Sequence, residues 1–329
     1  MTDKKTISIY DSKSCEYASL TKVSRPSKQL NEFMNEINHG GTVLDLGCGP
    51  GIASAFMKKN GFKNVYHLKG GILKYFESMP LLDVDIRKAN NVLLCLSQVT
   101  KLFYPNSTTD DFCSNLQSIQ KSVIKNKNLK IGRNVLVGKN VSIGKNTSVG
   151  HNTIIEKNVS IGDNCTIGSN SIIRNTFIGN NVKILDNCVI GKHGFGFFPD
   201  KKTNVRYPHI GIVIIEDYCE IGCGSTIDRG SMSNTIIGKN TFLDNQIHVA
   251  HNVKVGENGI IAGQVGIAGS SVIGKNVKIG GQAGISGHLK IGDNVEIAGG
   301  SGVIKDIPEN SKVMGDPAKN IRQFLKDNK

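Results

Sequence analysis

Residues 129–152 read LKIGRN VLVGKN VSIGKN TSVGHN, four blocks of six that share one spelling. An aliphatic residue returns every sixth position at Ile131, Val137, Ile143, Val149, Ile155, Ile161, Ile167 and Ile173. One residue is then dropped, and the frame resumes at Ile178, Ile184 and Ile190. After an interruption it returns at Ile215, Ile221 and Ile227, and beyond an insertion around Gly230–Asn234 it runs unbroken from Ile237 to Val303. A six-residue period suits a short strand followed by a tight turn. The aliphatic side chain points inward, and Gly or Asn occupies the turn positions that tolerate unusual φ. Three such strands close a triangular coil of about 18 residues, and coils stack as parallel strands roughly 4.8 Å apart. The expected fold class is therefore mainly β: a left-handed parallel β-helix, or hexapeptide-repeat solenoid, stabilised by nearest-neighbour stacking.

Composition agrees with that reading. The chain has 329 residues, 38% hydrophobic but only 6% aromatic, with 38 Gly and no Trp. Bulky side chains are too few for a conventional large core, while the recurring Ile and Val argue against disorder. The net charge of +13 favours acidic partners, although lysines spread along the chain also serve solubility. Val92–Leu96 is among the longest apolar runs, far short of the roughly 20 residues that span a bilayer, so no integral membrane segment is expected. The N-terminal residues lack the apolar stretch of a secretory signal. The cysteines, Cys15, Cys48, Cys95, Cys113, Cys165, Cys188, Cys219 and Cys223, form no CxxC pair and read as reduced thiols of a cytoplasmic protein.

Four regions follow: a small α/β domain over residues 1–110, a linker over 111–128, the β-helix over 129–306, and a C-terminal extension over 307–329 with a helix from about Pro317. An aperiodic loop, GFGFFPDKKTNVRYPH, leaves the solenoid wall at 193–210. In the first region, Gly41–Gly51 (GTVLDLGCGPG) reads as a strand and glycine-rich turn and resembles the first motif of S-adenosylmethionine-dependent methyltransferases. Asn64–Glu77 resembles a segment of rhodanese-like domains. The acidic residue that a methyltransferase places at its next strand end is missing from residues 65–70, and no nucleophilic cysteine loop follows. Residues 92–105 read as a helix leading into the linker.

The polar residues of the solenoid that carry chemistry are histidines. His251 lies two residues after the inward Val249, at a turn corner. His288 falls 37 residues later, about two coils on, so both belong to one edge of the prism, near 10 Å apart. A neutral imidazole is a natural general base for an amine or hydroxyl nucleophile. Asp244, seven residues before His251, is a candidate to orient the ring through coil closure. His248, His251 and His288 also suggest a three-histidine zinc site of the γ-class carbonic anhydrase type. A solenoid without chemistry, carrying a methyltransferase-like N-terminal segment, is the third reading.

From about Leu93 onward the chain resembles the UDP-3-O-acylglucosamine N-acyltransferases, hexapeptide-repeat enzymes of lipid A biosynthesis. The resemblance rests on GKHGFGFFPD (191–200) with YPHIG (207–211), IEDYCEIGCGSTIDRGSMSNTIIG (215–238), LDNQIHVAHNVKVG (243–256), IIAGQVGIAGS (260–270) and IGGQAGISGHLKIGDN (279–294). The related sugar O-acyltransferases share the repeat but do not usually spell TIDRG with DNQIHVAHN. The resemblance implies a homotrimer with active sites between adjacent solenoids, binding a UDP-sugar and an acyl carrier protein but no nucleic acid. A 3-hydroxyacyl chain would pass from the carrier protein to the 2-amino group of UDP-3-O-(3-hydroxyacyl)glucosamine. It implies His251 as base, Asp244 as its orienting carboxylate, the Gly269 N–H as oxyanion donor, and His288 and Asn245 as substrate contacts. No metal or cofactor is implied; the acylated 4′-phosphopantetheine of the carrier is a co-substrate. Lys305, Lys312, Lys319 and Arg322 are candidates for docking the carrier. Residues 1–90 depart from the family's uracil-binding domain, and no uracil-binding residue is carried over.

Overall fold

The computed structural model describes residues 42–45, 64–67, 97, 100–101, 104–199 and 203–327. The chain divides into two compact units, Met1–Ser107 and Thr108–Lys329. In the first unit, Thr42–Asp45 and Asn64–His67 pair in parallel. The strand expected in the methyltransferase-like segment is thus present, whereas its glycine turn and residues 68–77 of the rhodanese-like segment lie outside the described residues. Residues 97, 100 and 101 are helical, within the helix expected over 92–105.

The second unit is a left-handed β-helix of about ten turns. Each coil places one short strand on each of three parallel faces, named here for the outward residues His248, Lys254 and Phe242. Partners lie one coil apart, so that Ile227 pairs with Val249, Val249 with Ile267 and Ile267 with Ile285. The inward residues form one continuous core: Ile155, Ile173, Ile190, Val249 and Ile267 are each 0% exposed. Cys165, Cys188 and Cys219 are buried free thiols, and burial pushes Cys188 and Cys219 up to about 11.

The corners explain the Asn of each hexad. Asn134, Asn152 and Asn170 all adopt left-handed φ, between 55° and 57°, a region Asn tolerates better than other non-glycine residues. Their side chains continue the stacking: Asn134 Nδ2 donates to Asn152 Oδ1, and Asn152 Nδ2 to Asn170 Oδ1.

Residues 108–128 pack with the solenoid. Gln117 bridges Val137, helix α1 (Lys121–Asn126) precedes the first coil, and Arg174 donates to both the backbone and the carboxylate of Asp110. The aperiodic loop contains an antiparallel hairpin, Phe197–Pro199 with Asn204–Arg206. The C-terminal helix, α2, starts at Ile321 rather than near Pro317. Val313 and Met314 pair antiparallel with Asn320 and Lys319, which commits those residues to a strand first.

Candidate active site

His251 stands where the chain turns from the His248 face to the Lys254 face, and its ring is half-buried. Nδ1 lies 2.8 Å from Asn252 Oδ1. The orientation of that amide is fixed by backbone groups: Oδ1 accepts from the Ser231 N–H, and Nδ2 donates to the Ser233 carbonyl. With an acceptor opposite it, Nδ1 carries the proton of the neutral tautomer, which leaves the lone pair on Nε2. The sequence supplies this partner as the residue next to the histidine.

Asp244 and Asn245 occupy a different corner, where the Phe242 face turns into the His248 face. A whole side of the prism separates them from His251, so within one chain coil closure does not bring Asp244 to the ring. The Asn245 side chain caps the Cys223 N–H at 2.7 Å. The expectation that Asp244 orients His251 is corrected, for the single chain, to Asn252.

Gly269 sits one coil above His251. A Cβ there would lie 2.8 Å from both Cε1 and Nε2 of the ring, so only glycine lets this backbone meet the Nε2 edge of the imidazole. At several other corners the equivalent N–H is taken by a side chain one coil later: Lys145 by Asp163, Lys275 by Asp293, Cys223 by Asn245. Above Gly269 the corresponding residue is Gly287, which has no side chain to offer. Among the described residues no acceptor takes the Gly269 N–H, while its carbonyl accepts from His288 N. His288 does share this edge, two coils from His251, at φ 62° and with an exposed ring.

The loop closes the other side of the histidine. A Cβ on Gly194 would lie 2.8 Å from His251 Cβ. His209, fully buried, meets His251 edge-on at 5.4 Å between ring centroids and stacks on His193 at 5.3 Å. Burial lowers His209 to about 3 and His193 to about 4, so both rings are neutral around pH 7. Among the described residues no group of three His, Cys, Asp or Glu side chains is placed to hold a metal ion. Within one chain, His248, His251 and His288 therefore do not by themselves form the three-histidine set of the zinc reading.

Two clefts lie beside this corner and share His248. The first, about 610 Å³, is an apolar groove along the His248 face. Outward residues there run from Ile154 and Ile172 through Thr226 and His248 to Gly266, Gly284 and Gly302. A Cβ on Gly266 or Gly284 would meet nothing within 4 Å, so the glycines open a floor flanked by Ala268 and Ser286. The second cleft, about 540 Å³, is polar and lined by Asp110, Lys192, His193, Arg206, Asp228 and His248. Of the basic docking candidates, all exposed, Lys312 and Lys319 are engaged by Glu296 and Asp327.

Comparison with known proteins gives a consistent picture. The bacterial transferase hexapeptide (six repeats) family matches residues 140–175 and 270–305. A protein of Agrobacterium fabrum named UDP-3-O-acylglucosamine N-acyltransferase is 51% identical over 134 residues, 41% of this chain and 38% of that protein. One of Rhizobium rhizogenes with the same name is 48% identical over 61 residues, 18% of this chain and 17% of its own length. The match thus spans well under half of these relatives. A solved UDP-N-acetylglucosamine acyltransferase of Bacteroides fragilis is 28% identical, with 61% of this chain and 76% of that one covered and a TM-score of 0.47.

Proposed function

We propose that the chain is an N-acyltransferase of lipid A biosynthesis. It moves a 3-hydroxyacyl group from acyl carrier protein to the 2-amino group of UDP-3-O-(3-hydroxyacyl)glucosamine. The observation that carries this reading is the His251 corner: Nε2 beside an uncapped Gly269 N–H, on an apolar groove that shares His248 with a polar cleft.

The acyl chain lies on the glycine floor. From His248 to Gly302 the groove crosses three strand spacings, about 14 Å at roughly 4.8 Å each. The thioester carbonyl then reaches the corner with its oxygen on the Gly269 N–H. The amine attacks from the polar cleft, His251 Nε2 takes a proton from the nitrogen, and the C–N bond forms as the C–S bond breaks. His251 returns that proton to the departing thiolate. Placement, proton removal and oxyanion stabilisation are what an amine–thioester exchange requires; the thioester is a co-substrate, and no cofactor enters. Gly269 acts through its backbone, and His288, exposed at the same edge, is a contact for the phosphopantetheine or diphosphate.

A second copy of the chain closes the open side of the groove. Phe195 at 84% and Ile304 at 55% exposure line it, and Phe242 and Ile260 pair as exposed apolar residues on another face. Homotrimer packing covers such residues, and a role for Asp244 at the ring requires a neighbouring subunit. A carrier-protein donor implies the cytoplasm; no helix among the described residues is long and apolar enough to cross a membrane.

Incubation with 3-hydroxyacyl carrier protein and UDP-3-O-acylglucosamine is expected to release one thiol per acyl group gained by the sugar, as an amide that resists mild base. Thiol release without acceptor gain contradicts the reading. Gly284→Leu, which fills the floor, is expected to shift the preference towards shorter acyl chains in the same assay.

A further inference from the structure

Asp228 stands in the polar cleft with its side chain only 14% exposed. Among the described residues no Lys or Arg lies within 4 Å of its carboxylate, and no hydrogen bond reaches it. The cleft's cations are engaged elsewhere. Lys192 Nζ is 3.6 Å from Asp110 Oδ2, and Arg206 stacks over Phe197 at 4.4 Å and donates to the Gly194 carbonyl. The nearest basic atom is His248 Nε2 at 3.9 Å, whose ring burial and the neighbouring His251 keep neutral. A carboxyl so placed, opening onto a cleft, has no cation partner and answers its burial by a raised pKa.

It also lies beside the reacting corner. A Cβ on Gly194 would be 3.1 Å from Asp228 Oδ2 and 2.8 Å from His251 Cβ, so the two side chains flank the same glycine. An amino sugar reaches the enzyme as an ammonium ion. Its nitrogen must lose one proton before it can attack and a second as the amide forms. His251 accounts for the second. Resting on the reaction proposed above, we propose that Asp228 holds the acceptor's 2-ammonium group and takes its first proton.

The step balances. The ammonium gives one proton to the carboxylate, producing a free amine and a neutral carboxylic acid. The amine then forms the C–N bond, and its second proton passes through His251 to the thiolate as the C–S bond breaks. The Asp228 proton leaves to water at the cleft mouth. Burial, reinforced by Asp110, raises the Asp228 carboxyl to about 7, which makes it basic enough to accept a proton near neutral pH. The charged and titratable groups around it are Asp110, Lys192, His193, Arg206 and His248. This pairing also gives a reason for an amine, rather than a hydroxyl, to be the acceptor.

Calorimetric binding of UDP-3-O-acylglucosamine and of its 2-hydroxyl analogue, UDP-3-O-acylglucose, separates the possibilities. The wild-type protein is expected to bind the amine about 10- to 150-fold more tightly, the range for a hydrogen bond to a charged group. In Asp228→Asn that preference should vanish, the amine losing far more affinity than the hydroxyl analogue. Preference that survives the substitution, or affinities that fall together as a merely structural role would cause, overturns the assignment. Wild-type protein that binds neither nucleotide overturns the acyltransferase reading itself.

Discussion

His251→Ala is expected to lower kcat for acyl transfer by about 100- to 10,000-fold, the range for a lost general base. The fold should be untouched, because the ring lies outside the core and the inward Val249 and Val253 remain buried at 0% exposure. KM should change less than kcat, because the ring is one of many groups that line the groove. The measurement is steady-state transfer with thermal unfolding as the control. Retained activity removes His251 from the mechanism. Asn252 makes the test sharper, because its amide, held by Ser231 and Ser233, sets the tautomer of the neutral ring.

The second large effect concerns a residue with no side chain. Gly287→Asp is expected to place a carboxylate over the Gly269 N–H, as Asp293 does over the Lys275 N–H at 2.8 Å. A Cβ on Gly287 would lie 3.1 Å from the Gly269 carbonyl and 4.0 Å from its nitrogen, a tight but accessible position. The capped donor can no longer serve the oxyanion, and an anion beside it adds repulsion. Loss of one such donor costs about 100- to 1,000-fold in kcat. Gly287→Ala, which cannot cap, should lose far less. Equal losses in the two variants would show that crowding, not capping, is responsible.

The repeat made much of this legible before any coordinates. Because every sixth residue must point inward, the frame alone assigns Val249, Ile267 and Ile285 to one face, and so puts His251, Gly269 and Gly287 on one edge. What the frame carries is periodicity, and periodicity also misled. Asp244 is close in sequence, but seven residues cross a full side of a triangle whose sides are six residues long, which puts the carboxylate one corner away. Asn252 was hidden among many turn asparagines; only the backbone partners of its amide distinguish it. Gly287 left a weak signal, the absence of an Asp or Asn where several other corners have one. The approach of His209 and Gly194 to His251 depends on how an aperiodic loop folds back, which no six-residue period encodes. Asp228 lay within a quoted motif, yet its want of a cation emerges only when Lys192 and Arg206 are seen to be engaged elsewhere.

The state of one ring nitrogen decides whether the corner can work as described. Long-range 15N–1H correlation spectra of the labelled protein, assigned with His251→Gln, report which nitrogen of His251 carries the proton near neutral pH. The account predicts a protonated Nδ1, donating to Asn252, and an unprotonated Nε2 facing Gly269. A proton resident on Nε2 of the neutral ring would contradict it, because that imidazole has no lone pair to offer the amine.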